Sequence, residues 1–196
     1  DGIHGRLNKD QLKSINVAND FNNRQIKMID DLLSIAQLTM DGVALRKRSV
    51  NINEIISDVV YRIMPKILHR KQRLVFHNSE DTLRARVDPE KFAAVVENII
   101  DNASKYSPEG SKIFITTTQK KNSYYIAVKD QGVGIAKKDI NKLFKKFSRI
   151  HNKLTDTTIG NGLGLYWSRK IIQLHGGDIT VTSSPGKGST FTIVIK

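Results

Sequence analysis

Glu97, Asn98, Ile99, Ile100, Asp101, Asn102, Ala103, Ser104, Lys105 and Tyr106 form the stretch on which the reading of this chain turns. It follows Asp88 and Pro89, a capping side chain and a residue suited to the first helical position. Phe92, Val95, Val96, Ile99, Ile100 and Ala103 recur at helical spacing, which predicts a helix that turns these residues toward a core. Asn98 and Asn102, four apart, then project together from one face. An amide oxygen suits a hard cation such as Mg²⁺, which shares its coordination shell with phosphate oxygens. Lys105 has the reach to meet a phosphate, and Tyr106 can pack near a base.

Working downstream, Lys112 to Thr118 and Tyr124 to Lys129 alternate as strands around a turn of Lys120, Lys121 and Asn122. Directly after them stand Asp130, Gln131, Gly132, Val133, Gly134 and Ile135. A carboxylate at a strand end can accept from an exocyclic amine, and the glycines let backbone approach a flat ring. Lys138 to Phe147 reads as helix, and polar Ser148 to Asn161 as a mobile loop. Leu143, Phe144, Lys145, Lys146 and Phe147 precede that loop; Gly160, Asn161, Gly162, Leu163, Gly164 and Leu165 follow it at the mouth of a helix that runs to His175. Glycines opening a helix leave N–H groups aimed at an anion, and the helix dipole adds to the attraction. Phe144 and Phe147, three apart, are expected to anchor the loop in the core, while Lys146 and Arg149 face phosphate. His175 at the helix end is accounted for by dipole and cap. Strands Asp178 to Ser183 and Ser189 to Ile195 close the chain around Pro185, Gly186, Lys187 and Gly188.

Upstream, Ser49 to Asn53 alternates as a short strand, Glu54 to Leu68 is helical, and Arg73 to His77 and Arg84 to Val87 are strand-like. From Asn8 to about Met40 there is neither Pro nor Gly, and Leu12, Ile15, Ile26, Ile29, Leu33, Ala36 and Met40 keep one three-four register with Asn19 and Asn22 in its middle. A slightly rotated face would use Val17, Ala18 and Phe21 instead. Asp41 and Gly42 are expected to stop this helix. The order implies an α+β fold: a two-layer sandwich, with a mixed sheet and helices on one face, preceded by a long N-terminal helix.

The 196 residues, 39% of them hydrophobic, suffice for one core of ordinary size plus an appendage. Cysteine is absent, which excludes disulfides and Cys-based zinc sites and permits a cytoplasmic setting. A start at Asp1, without Met or signal features, reads as a piece of a longer protein whose membrane anchor, if any, lies elsewhere. The net charge of +13 would attract phosphates or acidic partners. Its basic residues are scattered with few aromatics between them, so no nucleic-acid partner is expected. No glycine series has the spacing of a P-loop or a dinucleotide-binding fingerprint. His4, His69, His77, His151 and His175 have no metal-ligand spacing.

Taken in order, these elements resemble the N, G1, F and G2 boxes of the histidine-kinase branch of the Bergerat-fold (GHKL) ATPases, and Gly186, Lys187, Gly188, Ser189 and Thr190 resemble their G3 turn. The resemblance implies that residues 49–196 are a catalytic ATP-binding domain. Residues 1–48 would be part of the dimerisation and histidine-phosphotransfer module, with its acceptor helix absent. By resemblance Asn102 ligates Mg²⁺; Asn98, Lys105 and Lys146 serve catalysis at the triphosphate; and Asp130 reads the adenine amine. Tyr106, Gly132, Gly134, Ile135, Arg149, Gly160, Gly162, Leu163, Gly164 and Thr190 complete the ATP site. An amide at Asn98, where related ATPases carry a water-activating Glu, suits transfer rather than hydrolysis. ATP, a response-regulator receiver domain and a second copy of the full-length protein are the implied partners, without membrane contact here. The other readings are a docking module with a degenerate site, and a related ATPase or serine kinase.

Overall fold

The computed structural model describes residues 5, 7–40, 44–78, 82–150 and 161–196. His4, the stop at Asp41 and Gly42, Gly160 and His151 lie outside them. Two compact units are present, Asp1–Val43 and Ala44–Lys196. The first is a single helix, α1 (Lys9–Met40), whose 32 residues contain no helix breaker. Leu12, Ile15, Ile26, Ile29 and Leu33 of one register and Val17 and Phe21 of the other are all 48–59% exposed, so the single chain does not choose between the two faces.

The second unit runs β1 (Arg48–Asn51), α2 (Ile52–His69), β2 (Arg73–Asn78), β3 (Arg84–Val87), α3 (Pro89–Lys105), β4 (Lys112–Lys120), β5 (Ser123–Lys129), α4 (Lys137–Ile140), α5 (Gly164–Leu174), β6 (Asp178–Ser183) and β7 (Ser189–Ile195). Five strands form a mixed sheet in the order β2-β4-β5-β7-β6, while β1 and β3 pair separately. Only β2 and β4 are parallel in the large sheet. Alternation decides which face is covered: Ile113 and Ile115, Ile126 and Val128, and Phe191, Ile193 and Ile195 are buried, their intervening neighbours less so. Against that face lie α2 through Ile56, Val59, Ile63 and Ile67, α3 through Phe92, Val95, Val96, Ile99 and Ile100, and α5 through Ile171 and Ile172. This is the expected two-layer sandwich. One polar pair interrupts the apolar interface, the buried Thr117 hydroxyl donating to Asn53 Oδ1 at 2.9 Å.

Strands β2, β4 and β5 run one or two residues longer than the sequence reading, and two other differences have a local cause. The first strand ends at Asn51 rather than Asn53, because the Asn51 side chain accepts from Asn53 N–H and so caps a helix that starts earlier. Helix is found only at Lys137–Ile140 of the expected Lys138 to Phe147. Beyond it the chain makes short-range turns, Lys145 N–H to Lys142 O and Ser148 N–H to Lys145 O, and Phe147 takes a φ of 60°.

The far ends of α3 and α5 are joined. Asp88 caps α3 by accepting from Lys91 N–H at 3.1 Å and also accepts from Arg46 N–H at 3.0 Å. Its own N–H donates to Nε2 of His175, 2.9 Å away, while His175 Nδ1 donates to Ile171 O at 2.8 Å. His175 does cap α5, but as a buried neutral ring and not as a charged dipole partner. Burial pushes its pKa down, Lys47 adds to the effect, and the Ile171 bond and Asp88 oppose it.

Since the unfolded His175 takes up its proton near 6.5 and the folded one resists it, the stability this ring contributes is complete above that pH and declines as pH falls through and below it. Asp88 and Asp101, both shifted down from 3.8, act at lower pH. Urea unfolding at pH 7.5 and 5.5 should therefore show a loss of stability in the wild type that is smaller in His175→Gln, whose amide can accept the same bond. Equal losses in both proteins would contradict this account.

Candidate functional site

Helix α3 positions the first group of side chains. Asn98 donates through Nδ2 to Ser168 Oγ at 2.9 Å, and Ser168 is fully buried within α5. Gly164, the first residue of α5, lies directly over the same amide: a Cβ there would stand 2.6 Å from Asn98 Oδ1. The glycine-led start of α5 and the asparagine face of α3 therefore meet. Asn102, one turn on and partly exposed, makes no side-chain hydrogen bond among the described residues. Lys105 lies on the same side of the helix, with its ammonium 2.7 Å from Asp101 Oδ2.

Asp130 directly follows β5 and is 4% exposed. Its Oδ1 accepts from Gly132 N–H at 2.8 Å and from Ser189 N–H at 3.0 Å. Burial pushes the carboxyl pKa up, against the pull of these two bonds. Its Oδ2 has no donor among the described residues, and no buried side-chain polar atom there lacks a partner, so Oδ2 keeps contact with solvent. The loop that follows is pressed onto the end of α3. Val133 N–H donates to Tyr106 O at 3.1 Å, and a Cβ on Gly132 would fall 2.2 Å from that carbonyl. On its other side Gly134 abuts Ser184 O, and Ile135 N–H donates to Ser183 Oγ at 2.8 Å. Tyr106 is half-buried; burial pushes its phenol pKa up, and nearby Arg149 opposes the shift.

The final turn brings in a residue that sequence reading missed. Thr190 pairs with Lys129 and Thr182 on the sheet face away from the helices, so it does not turn toward Asp130. Ser189 does, with its N–H on Asp130 Oδ1 and its hydroxyl 2.9 Å from Ser183 Oγ. Strand alternation held the signal, since Ser189 shares parity with buried Phe191, Ile193 and Ile195.

The segments framing residues 151–160 also depart in part from expectation. Phe144 lies under the Arg169 guanidinium, 4.7 Å from ring centroid to charge, and that guanidinium is held by Asp178. Phe147 is no core anchor: it is 61% exposed. The anchor there is backbone, because Gly162, at a φ of 71°, packs against Phe147 C and Ser148 O with no room for a Cβ. Lys146 places its ammonium 5.2 Å from the Tyr166 ring centroid. Leu163 is fully buried and serves as the anchor at the start of α5. Leu163, at the N-cap of α5, makes no side-chain cap bond of its own, and its N–H donates to Asn161 Oδ1 at 3.2 Å.

The model for histidine kinase-, DNA gyrase B-, and HSP90-like ATPases matches residues 87–196, which hold every element of the site. The chain belongs to that family. Its relatives lie on the sensor-kinase side: it is 35% identical over 176 residues to the sensor histidine kinase WalK of Bacillus subtilis, covering 88% of this chain and 28% of WalK. With the signal transduction histidine-protein kinase ArlS of Staphylococcus aureus it shares 31% identity over 93% of this chain and 40% of ArlS. The structure of histidine kinase ThkA in complex with the response regulator TrrA aligns with a TM-score of 0.78 at 25% identity, over 97% of this chain and 52% of that one. The chain thus spans well under half of WalK and ArlS. It is an ATPase-family domain similar to the corresponding region of these sensor histidine kinases.

Two glycines of the final turn separate backbone strain from close packing. Gly186 and Gly188 have φ values of 73° and 75°, but a Cβ on Gly186 meets nothing within 4 Å whereas one on Gly188 would stand 2.2 Å from Asp130 O. Gly186→Ala should cost about 1 kcal/mol, the left-handed penalty alone. Gly188→Ala should cost more than about 3 kcal/mol, because it also displaces Asp130. Equal losses in chemical denaturation would contradict this assignment.

Proposed function

We propose that the chain binds ATP with Mg²⁺ where α3, the loop after β5 and the start of α5 meet. In the longer protein it would pass the γ-phosphoryl group to a histidine outside this chain. The observation that carries the reading is Asp130: one oxygen is fixed by two backbone donors, and the other accepts from no described residue and keeps a small contact with solvent beside a glycine loop. That is an acceptor prepared for an amine on a flat ring, with Tyr106 packed alongside and Gly132, Gly134 and Ile135 presenting backbone. Asn102 fits a hard cation through its uncommitted amide oxygen. It would hold the Mg²⁺, which when bound neutralises charge on the phosphate oxygens.

The remaining roles follow from what each side chain can do. Lys105, Lys146 and Arg149 supply positive charge toward the phosphates, together with the N–H groups that open α5 behind Gly162 and Gly164. Asn98 is a neutral amide held by Ser168 and cannot take a proton from water. This favours transfer to an incoming nucleophile over hydrolysis. An imidazole nitrogen would form the new bond to phosphorus as the bond to the β,γ-bridging oxygen breaks, and ADP would leave. The phosphoryl group would then pass to an aspartate of a response regulator, the class of partner named in the ThkA complex.

Residues 1–48 are assigned to the dimerisation module, by which two full-length copies would pair. No helix of the described residues is long and apolar enough to cross a membrane. The proposed setting is the cytoplasm, where ATP is available, with any anchor in other parts of the protein.

Calorimetric titration of a non-hydrolysable ATP analogue tests the site. With Mg²⁺ the wild type should bind, and Asp130→Asn should bind at least about tenfold more weakly, a loss of about 1.4 kcal/mol. The circular dichroism spectrum should be unchanged. Equal affinity in the two proteins would remove Asp130 from the site.

A further inference from the structure

Between the two asparagines of α3 stands a carboxylate with no part in the nucleotide site as described. Asp101 is 5% exposed, a costly place for a charge unless it is paired. It is paired three times, and its two oxygens divide the work. Oδ1 lies 2.7 Å from Nζ of Lys66, on α2, and 3.3 Å from Nη1 of Arg70, the residue that closes that helix. Oδ2 lies 2.7 Å from Lys105 Nζ, one turn further along α3 itself. Burial works against ionisation, but Lys105 and Lys66 outweigh it and bring the carboxyl down to about 2.

The α2 side of this cluster is rigid on its own account. Arg70 is also tied to Ser104 Oγ at 2.6 Å, and Ser104 donates to the buried Gln72. Helix packing therefore accounts for Oδ1 and leaves Oδ2 unexplained. An exposed pair at this spacing on a helix contributes little, whereas here the anion is buried and the lysine side chain is only 22% exposed. A lysine side chain is long and flexible, and fixing it before a ligand arrives removes an ordering cost from binding. Three cations on one carboxylate also leave a local excess of two positive charges beside Asn98 and Asn102.

We propose that Asp101 is a positioning residue: through Oδ2 it holds the Lys105 ammonium on the asparagine face of α3, prepared for the phosphates of a nucleoside triphosphate. The inference rests on the nucleotide reading above. Its test compares, on this same chain, the affinities for a non-hydrolysable ATP analogue with Mg²⁺ and for adenosine, which has no phosphate. Asp101→Asn should weaken the triphosphate about tenfold, the scale of one charge-assisted hydrogen bond, and leave adenosine within about twofold. Lys105→Ala should give the same loss, and the double variant no further loss, because the two residues act through one contact. Asp101→Glu keeps the charge and the α2 pairing but moves the ammonium by a methylene, so it should fold and lose part of the triphosphate affinity with adenosine unchanged.

Parallel losses of adenosine and triphosphate in Asp101→Asn would overturn the positioning role. So would losses that add to those of Lys105→Ala, or an Asp101→Glu variant that binds as the wild type does. A wild type that binds neither ligand would overturn the nucleotide reading, and this inference with it.

Discussion

A single carboxylate oxygen, Asp130 Oδ1, accepts the N–H groups of Gly132 and Ser189 and so draws three chain segments onto one point. The end of β5, the loop beyond it and the turn before β7 are fixed together by that atom. Backbone is then pressed so closely that Gly132 lies against Tyr106 O and Gly188 against Asp130 O, contacts that a side chain would prevent. Two bonds on one oxygen offset part of the cost of burial and leave the other oxygen for a ligand. The specificity of the site follows from this economy of partners. A carboxylate with both oxygens satisfied internally would be structural only.

The second constraint is that α3 and α5 are fastened at both ends. At one end Asn98 bonds Ser168 under Gly164; at the other His175 accepts from Asp88, and Lys47 Nζ donates to Leu174 O. Between these fastenings the helices bury an apolar face on the sheet, so the asparagines and the start of α5 keep a fixed mutual geometry. Burial supplies the adhesion, and the polar bonds at the ends select the register. Charge is handled separately, with Asp101 collecting three cations where α2 meets α3.

What could be read from the sequence was what is local. Asp88 and Pro89 announce the start of α3, Gly176 and Gly177 the end of α5, and strict alternation the limits of β6 and β7, all of which the structure reproduces. The convergence of the glycine loop with the asparagine helix was legible only through the order of the motifs. The misreadings share a cause. Phe147 has the spacing of a core residue, but a left-handed backbone turns it out. Ser189 was passed over for Thr190 because their partners, 59 residues upstream in the case of Ser189, decide which faces the site. Ser168, 70 residues from Asn98, and His175, 87 from Asp88, act through pairings that no local pattern encodes. The charge of Asp101 was visible, but its burial was not.

The central claim is that a metal-bound triphosphate lies on the Asn98 and Asn102 face of α3, beneath the start of α5. Replacing Mg²⁺ by paramagnetic Mn²⁺ in the complex with a non-hydrolysable ATP analogue, and recording amide resonances of the isotopically labelled chain, tests it most directly. The account predicts that broadening centres on Asn102, extends to Asn98 and Gly164, and fades toward the open face of the sheet at Thr180 and Thr192. Broadening centred elsewhere, or none that depends on the nucleotide, would contradict it.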